Sequence, residues 1–273
     1  GDTGLVLKTD PITFAPESIG RYAVLINAND LATAGAEAHW MLTTILLPCG
    51  FSRSQVRLIF VDLHEACQSQ NITLCGGHTE ITDAVCRPVV TGMLTGTIAR
   101  DDLIQKQRMT PGDRVLLTKG VAVEGTAIIA TEFKDLLLEK GMDEQEIDAC
   151  RTLQTLLSIL PEARIAWDNG GVSALHDVTE GGIATALMEL SLAGGRGIRI
   201  LCERIPVYPR TRRMAQILGL DPLGLIGSGS LLICCRPHHA RQLMADLDKA
   251  NIAVTDIGEV TSADAGIEAL ENG

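Results

Sequence analysis

With 273 residues, 46% of them hydrophobic, the chain is long enough for two domains of ordinary size. Aromatic residues make up only 3%, so we expect a core of mostly leucine, isoleucine, valine and alanine. The formal net charge is −11 and no basic patch is visible, which argues against binding to nucleic acid or to a membrane. No secretory signal is visible, and the eight cysteines form no Cys-x-x-Cys pair. We therefore expect a reduced, cytoplasmic protein.

The start of the chain predicts a strand, a loop and a helix. Residues 1–4 are a turn signal, and a domain that begins at a turn leads us to expect further residues before Gly1. Residues 5–7 are strand-like and are followed by prolines. From Ile19 the apolar positions have helical spacing, and Gly35 is in the position of a helix stop.

Two carboxylates, Asp10 and Asp30, lie at opposite ends of this strand–loop–helix unit. Asn27 and Asp30 are three residues apart and share a helix face. A charge on an otherwise apolar helix is costly to bury unless a partner neutralises it. Mg²⁺ bridging to phosphate would do so, since it is usually held by one or two carboxylates together with phosphate oxygens. The alternative is structural, with Asp10 as a turn residue and Asp30 paired with Arg21 or a later lysine.

The spacing Asp30-x4-Gly35-Ala36 resembles the Asp-x4-Gly-Ala-x-Pro signature of the aminoimidazole ribonucleotide (AIR) synthase superfamily, with Ala38 in place of the proline. That ATP-binding superfamily also contains the hydrogenase-maturation protein HypE, thiamine-monophosphate kinase and selenophosphate synthetase. The resemblance implies ATP and Mg²⁺ as cofactors, with Asp10 and Asp30 as metal ligands. It also implies nucleotide contacts for neighbouring residues, namely Lys8, Thr9, Asn27, Asn29, Gly35 and Ala36.

The rest of the first region alternates strands and helices. We predict a strand at 40–47, a helix at 54–70, a short strand at 72–75 and a strand at 88–97. The order β-α-β-α-β-β predicts a mixed sheet with helices packed on one face. The polar turn at 110–113 is the best boundary candidate, so we predict domains at 1–109 and 110–273.

Paired glycines, Gly76 and Gly77, follow the short strand and precede His78, Thr79 and Glu80. Glycines let backbone N–H groups approach a ligand closely, and the next three side chains offer polar ligand groups. A glycine-rich turn with a surface histidine is the alternative. The segment resembles the superfamily's Gly-Gly-(Asp/Glu/His)-Thr/Ser element. The resemblance implies a metal-ligand role for Glu80 and phosphate contacts for the four residues before it, namely Gly76, Gly77, His78 and Thr79.

The second region predicts an α/β domain with several crossovers. Predicted strands lie at 114–118, 198–202, 230–235 and 252–259, and predicted helices at 126–133, 143–167, 183–192, 211–218 and 238–249. A break of the helix at 143–167 near Pro161 is the alternative to a continuous helix. Lys119-Gly120 with Glu124-Gly125 resembles the superfamily's glycine-rich loop, which implies a phosphate contact for Lys119. A solvated loop is the alternative for that lysine.

A run of polar and glycine residues precedes the predicted helix at 183–192. A helix N-terminus presents free N–H groups and about half a positive charge, so it suits an anion. Capping by Thr179 is the alternative, which leaves His176 and Asp177 unexplained. The run resembles the Asp-x-Thr-Arg-Gly-Gly element of HypE, with Glu180 in place of the arginine. The resemblance implies catalytic roles for His176 and Asp177 and ligand contacts for Thr179, Gly181 and Gly182.

Taken together, the matches extend in order over nearly the whole chain and lie nearest the HypE branch. They imply an α/β (α+β) fold of the two-domain PurM type, with an N-terminal ATP-binding, dimer-forming domain and a C-terminal AIR synthase-related domain. They also imply an Mg-ATP-dependent enzyme that activates or phosphorylates a substrate oxygen. The expected partners are a second copy of the chain and either a protein partner, if it is HypE-like, or a small-molecule substrate.

Two other functions remain open, namely a nucleotide-binding scaffold or regulator without turnover and a kinase like thiamine-monophosphate kinase. HypE chemistry, the ATP-dependent dehydration of a carbamoylated cysteine, needs a C-terminal cysteine. The sequence ends at Gly273 without one. We therefore expect either further residues after Gly273 or a different acceptor.

Overall fold

The fold is described from a computed structural model, which describes residues 1–14 and 18–271. The chain divides into two compact units, Gly1–Leu103 and Ile104–Gly273. Residues just before the turn at 110–113 thus belong with the second unit, because Met109 is fully buried in that unit's core.

The first unit is a sheet with helices on one face. Its elements are β1 (Thr3–Ile12), α1 (Ile19–Thr33), β2 (Glu37–Pro48), α2 (Arg53–Ser69), β3 (Thr73–Thr82) and β4 (Val89–Ala99). The strand order is β1-β4-β2-β3, with β2 and β3 parallel and the other neighbours antiparallel. The predicted mixed sheet in the order β-α-β-α-β-β is therefore confirmed.

Helix α1 ends in a Schellman motif, as its glycine predicts. The N–H of Gly35 donates to the carbonyl of Ala32 at 2.9 Å, and the N–H of Ala36 donates to that of Leu31 at 3.2 Å. Gly35 has φ 78°, a left-handed conformation that glycine adopts without strain. Gly35 and Ala36 thus serve to end the helix and turn the chain into β2.

The prediction of a glycine turn after a short strand is wrong, because β3 runs through Gly76 and Gly77 to Thr82. A Cβ atom on Gly77 would lie 1.9 Å from the carbonyl oxygen of Thr43 on the neighbouring strand. Gly77 also has φ 152°. The glycine therefore allows the edge strand to approach β2 closely.

The two faces of the first sheet differ in burial. The face under the helices buries Met41, Ile45 and Leu94 completely or nearly so. The opposite face, which we call the outer face, carries large apolar side chains that are 39–59% exposed, namely Leu5, Leu7, Trp40, Leu42 and Met93. The register places Met93 of β4 beside Leu42 of β2, so these side chains form one patch.

The second unit is a larger mixed sheet flanked by helices. Its elements are β5 (Arg114–Thr118), α3 (Val123–Glu132), α4 (Lys134–Glu139), α5 (Glu144–Arg151), α6 (Leu160–Asn169), β6 (Val172–Asp177), α7 (Gly182–Gly194), β7 (Gly197–Leu201), α8 (Pro209–Leu218), β8 (Leu231–Cys235), α9 (Pro237–Lys249), β9 (Val254–Thr261) and β10 (Ile267–Leu270). The sheet has the order β10-β7-β9-β5-β8-β6. Sequence analysis missed β6 and β10, and the helix predicted at 143–167 is broken into α5, a 3₁₀ turn and α6.

The topology of the second unit brings three loops to one end of its sheet. Strand β8 pairs antiparallel with both β5 and β6, with Leu117 and His176 each opposite Leu232. The chain therefore leaves β5 and β6 at the same end at which it enters β8. Among the described residues, no helix is both long and apolar enough to cross a membrane.

Candidate functional site

Two carboxylates of the first unit, far apart in sequence, meet at a single cation. Nζ of Lys8 lies 3.1 Å from Oδ2 of Asp10 and 3.2 Å from Oδ2 of Asp30. Lys8 and Asp10 are on the face of β1 that α1 covers, and Asp30 is near the end of α1. The structural alternative predicted an ion pair between Asp30 and Arg21 or a later lysine. Asp30 does pair with a lysine, but it is the earlier residue Lys8.

The electrostatics of this cluster favour a cation between the carboxylates. Burial by itself lowers the pKa of Lys8, but Asp30 and Asp10 outweigh it and raise that pKa above its usual value. All three side chains are partly exposed. Two carboxylates that converge on one positive charge are part of a donor set that suits Mg²⁺, whose remaining ligands would come from phosphate oxygens or water. The residues therefore fit the metal that the resemblance implies.

Asn27 holds Asp10 in place against α1. The backbone N–H of Asp10 donates to Oδ1 of Asn27 at 2.9 Å, and Nδ2 of Asn27 donates to the carbonyl of Ala23 at 2.8 Å. A Cβ on Gly92 would lie 2.7 Å from that Nδ2, so a glycine is needed there. Asn27 and Asn29 are both buried. Their burial does not fit the predicted nucleotide contacts.

The remaining predicted nucleotide residues of this region lie elsewhere. The side chain of Thr9 is on the exposed side of β1, and its hydroxyl donates to the carbonyl of Gly92 at 2.8 Å. Gly35 and Ala36 are occupied in ending α1. Of the predicted set, the side chains of Lys8, Asp10 and Asp30 come together, and Asn27 supports the backbone of Asp10.

The residues of β3 do not join this cluster. His78, Thr79 and Glu80 are exposed on the edge strand, and Nε2 of His78 lies 3.6 Å from Oε2 of Glu80. Because β1 and β3 are opposite edges of the sheet, three strand spacings, or roughly 14 Å, separate them. The register aligns Asp10 with Gly77 rather than with Glu80, so Glu80 is farther away still. In residues 1–14 and 18–271, no group of three His, Cys, Asp or Glu side chains could hold a metal. The predicted metal role of Glu80 beside the two aspartates does not fit this arrangement.

Glycine-bearing segments of the second unit meet at the end of β5, the end of β6 and the start of β8. We call residues 119–125, 178–182 and 223–230 the glycine-loop cluster. The hydroxyl of Ser230 donates to the carbonyl of Gly120 at 2.6 Å, and the N–H of Val178 donates to that of Ser230 at 3.0 Å. The N–H of Gly125 donates to the carbonyl of Ile226 at 2.8 Å. These bonds lock the three segments together.

The partly buried side chain of Lys119 connects the glycine-loop cluster to residues 156–162. Its ammonium donates to the carbonyls of Leu156, Ser158 and Gly229 at 2.9, 2.7 and 2.9 Å. It also lies 2.6 Å from Oε1 of Glu162 in an ion pair. Burial lowers the pKa of Lys119, against the opposing influence of Glu162. With its three N–H donors engaged, Lys119 does not fit the predicted phosphate contact.

The start of α7 depends on glycines. Gly181, with φ 77°, is the N-cap residue, and no side chain caps the helix. The capping role considered for Thr179 is therefore wrong, and its carbonyl instead accepts the N–H of Gly182 at 3.1 Å. A Cβ on Gly182 would lie 2.2 Å from the carbonyl oxygen of Leu223. Gly182 thus lets α7 start directly against the third segment of the cluster.

The two residues predicted to be catalytic end β6. Nε2 of His176 lies 3.0 Å from Oε2 of Glu189 on α7, and its Nδ1 lies 3.9 Å from Oδ1 of Asp177. Burial, and then Lys106, lower the pKa of His176 against Asp177 and Glu189. Asp177 is buried at the end of the strand. His176 therefore links β6 to α7, and Asp177 directly precedes residues 178–182 of the glycine-loop cluster.

Glu124, a further acid at this end of the sheet, was not among the residues predicted from the sequence. Glu124 is in the first turn of α3 and is only 1% exposed. Burial raises its pKa to about 7, Ser228 opposes that shift and Glu180 adds to it. The sequence signal for Glu124 was its position as a lone acid within the apolar run 121–130. An acid in such a run is uncommon unless it has a functional role.

Both units match one family. Residues 1–98 match the N-terminal domain of AIR synthase related proteins, and residues 110–269 match the C-terminal domain. The chain belongs to the AIR synthase related family. Carbamoyl dehydratase HypE of Escherichia coli is 28% identical over 240 residues, which are 87% of this chain and 68% of that protein. A putative hydrogenase expression/formation protein of Methanocaldococcus jannaschii is 27% identical over 251 residues, covering 89% and 71%.

Solved structures agree with this assignment. A crystal structure of E. coli HypE has a TM-score of 0.84 and 25% identity, covering 97% of this chain and 82% of that one. HypE in complex with ATP gives 0.82 at 21% identity, covering 98% and 82%. A ThiL complexed with AMPPCP and TMP gives 0.77 at 20% identity, covering 99% and 84%. The predicted PurM-type two-domain fold and the resemblance to HypE are confirmed.

Proposed function

We propose that this AIR synthase related protein is an Mg-ATP-dependent enzyme that activates an oxygen of its acceptor. Its relative HypE is named a carbamoyl dehydratase, and we propose related chemistry for this chain. The observation that carries the proposal is the convergence of Asp10 and Asp30 on one cation in the N-terminal unit. Similarity to HypE over 87% of the chain, together with a solved structure of HypE in complex with ATP, supports the ATP dependence.

The first unit would bind the nucleotide. Asp10 and Asp30 would hold Mg²⁺, which neutralises phosphate charge when bound. Asn27 fixes the backbone of Asp10, so that its carboxylate keeps its place when a ligand arrives. Lys8, which contacts both carboxylates, would add its positive charge to the same site. Catalysis of this kind relies on positioning and charge neutralisation.

The second unit would bind and orient the acceptor substrate. Asp177 ends β6 beside the N-terminus of α7, where helix N–H groups favour negative charge that develops in a reaction. Thr179, Gly181 and Gly182 form the turn between them, and His176 holds the strand to the helix through Glu189. A HypE–HypF complex has a TM-score of 0.82 over 98% of this chain, which supports a protein partner for this chain.

Calorimetric titration of ATP, with Mg²⁺ and then with EDTA, tests the proposal. We expect ATP to bind when Mg²⁺ is present and to lose most of its affinity in EDTA, because the carboxylates repel the phosphates without a metal. Release of ADP on addition of an acceptor would separate an enzyme from a scaffold. Equal affinity in EDTA, or no binding by folded protein, would contradict the proposal.

We infer that two copies of the chain pair through the outer face. Leu5, Leu7, Trp40, Leu42 and Met93 are all exposed on that face, and an apolar patch of this kind is typical of an interface. Strands β1 and β3 leave open edges beside the patch. A second copy would bury the same patch by two-fold symmetry.

Leu42→Glu is expected to convert the dimer to monomer, because it places a charge in the centre of the apolar outer face. Leu192→Glu is the matched control, since Leu192 is 74% exposed on α7 of the second unit. Sedimentation velocity of both variants and of the parent chain measures the effect. A monomeric parent, or a Leu42→Glu chain that remains dimeric, would contradict the inference.

A further inference from the structure

The glycine-loop cluster contains an acid without a compensating charge. Glu124 is 1% exposed, and neither of its carboxyl oxygens has an aligned hydrogen-bond partner in the part of the chain that the structure describes. Ser228, which is also buried, gives the carboxylate partial polar support. A buried carboxyl with so little support is costly for the fold, so its presence calls for a ligand.

A second acid belongs to the same cluster. Glu180 is exposed on the turn between β6 and α7, and its charge further disfavours ionisation of Glu124. Lys119, the lysine of the glycine-loop cluster, is already held by Glu162 at 2.6 Å and by three carbonyls. The repulsion between Glu124 and Glu180 is therefore left for a group from outside the chain to relieve.

We propose that Glu124 and Glu180 form a subsite for a protonated amine on the acceptor substrate. An ammonium group carries three N–H donors and one positive charge, so it can bond to both carboxylates at once. A divalent metal is the weaker candidate, because no group of three His, Cys, Asp or Glu side chains is found among residues 1–14 and 18–271. That the amine belongs to the acceptor rests on the proposed function, whereas the subsite itself does not.

The route to the subsite follows from exposure and local structure. Glu180 and Gly181 are at the surface, so an amine meets Glu180 first. Residues 225–229, which contain no helix or strand, are tied to the start of α3 by the Gly125–Ile226 hydrogen bond.

The test uses the full chain and butylammonium as the probe, with 1-butanol as its neutral counterpart and K⁺ and Mg²⁺ as competing cations. Calorimetry at pH 7 in two buffers of different ionisation enthalpy measures binding and proton release together. We expect butylammonium to bind and 1-butanol not to bind. With a pKa of about 7 for Glu124, roughly half a proton should leave per amine bound.

Variants identify the residues responsible. Glu124→Gln keeps the shape and removes the charge, so it should abolish proton release and weaken butylammonium binding at least tenfold. Glu180→Gln should weaken binding by a similar factor. Glu132→Gln, at the exposed last residue of α3, is the control and should change nothing. Melting curves of each variant establish that it is folded.

Several outcomes would overturn the subsite. These are equal binding of 1-butanol, undiminished binding by folded Glu124→Gln, and binding of K⁺ or Mg²⁺ at this position in place of the amine. The Mg-ATP titration on the same samples separates the two proposals. Intact ATP binding without amine binding contradicts only the subsite, and the reverse contradicts only the proposed nucleotide function.

Discussion

Lys119→Ala is expected to lower the free energy of unfolding by about 3–5 kcal/mol, the usual cost of removing one partner from a buried ion pair. Glu162, which is almost fully buried, would lose the cation 2.6 Å from its Oε1. Three backbone carbonyls would lose their hydrogen-bond donor at the same time. Urea unfolding followed by circular dichroism measures the change.

An exposed ion pair supplies the control for this prediction. Lys249 contacts Asp246 at 2.9 Å, but its side chain is 72% exposed. Lys249→Ala should therefore change the free energy of unfolding by less than about 1 kcal/mol. The double variant Lys119→Met with Glu162→Leu should recover much of the lost stability, since it removes both buried charges. A Lys119→Ala chain as stable as the parent would show that Lys119 does not brace the loops.

Glu124→Gln should remove a pH dependence of stability worth about 3 kcal/mol. Burial raises the pKa of Glu124 from 4.5 in the unfolded chain to about 7 in the folded one, and each pKa unit corresponds to about 1.4 kcal/mol. The folded state therefore holds this proton more tightly than the unfolded state. Its stabilising effect is complete below pH 4.5 and is lost as the pH rises through 7.

The measurement compares unfolding free energies of the parent and variant chains between pH 4.5 and 8. We expect the stability of Glu124→Gln relative to the parent to increase by about 3 kcal/mol over this range. Glu132→Gln, whose side chain is exposed, should follow the parent throughout. Parallel curves for the parent and Glu124→Gln would mean that the buried carboxyl ionises normally.

The local patterns of the first unit were sufficient to predict its architecture. Alternating strand and helix periods predict its order of elements, and Gly35 predicts the end of α1 because a Schellman motif requires a left-handed residue. The spacing of Asn27 and Asp30 predicts that they share a helix face, and in the structure both contact residues of β1. Such features depend on neighbours in sequence or one helical turn away.

The features that sequence analysis missed depend on contacts across long stretches of chain. Gly77 looks like a turn residue until the carbonyl of Thr43 is placed against it. Lys119 looks like a phosphate ligand until Glu162 and distant carbonyls surround it. Glu124 is a lone acid in an apolar run, and its burial becomes evident only when Ser228 and Ile226 pack against the start of α3. Burial of this kind is set by tertiary packing, which local periodicity does not contain.

The central claim is that Asp10 and Asp30 form an Mg-ATP site, and Asp30→Asn tests it most directly. Calorimetric titration with Mg-ATP should show at least a 100-fold loss of affinity, larger than the effect of losing a supporting contact. The fold should be retained, because the amide oxygen of the substituted side chain can still accept a hydrogen bond from Lys8. Asp264→Asn, at an exposed position of the second unit, should bind like the parent. Unchanged Mg-dependent affinity in folded Asp30→Asn would contradict the claim.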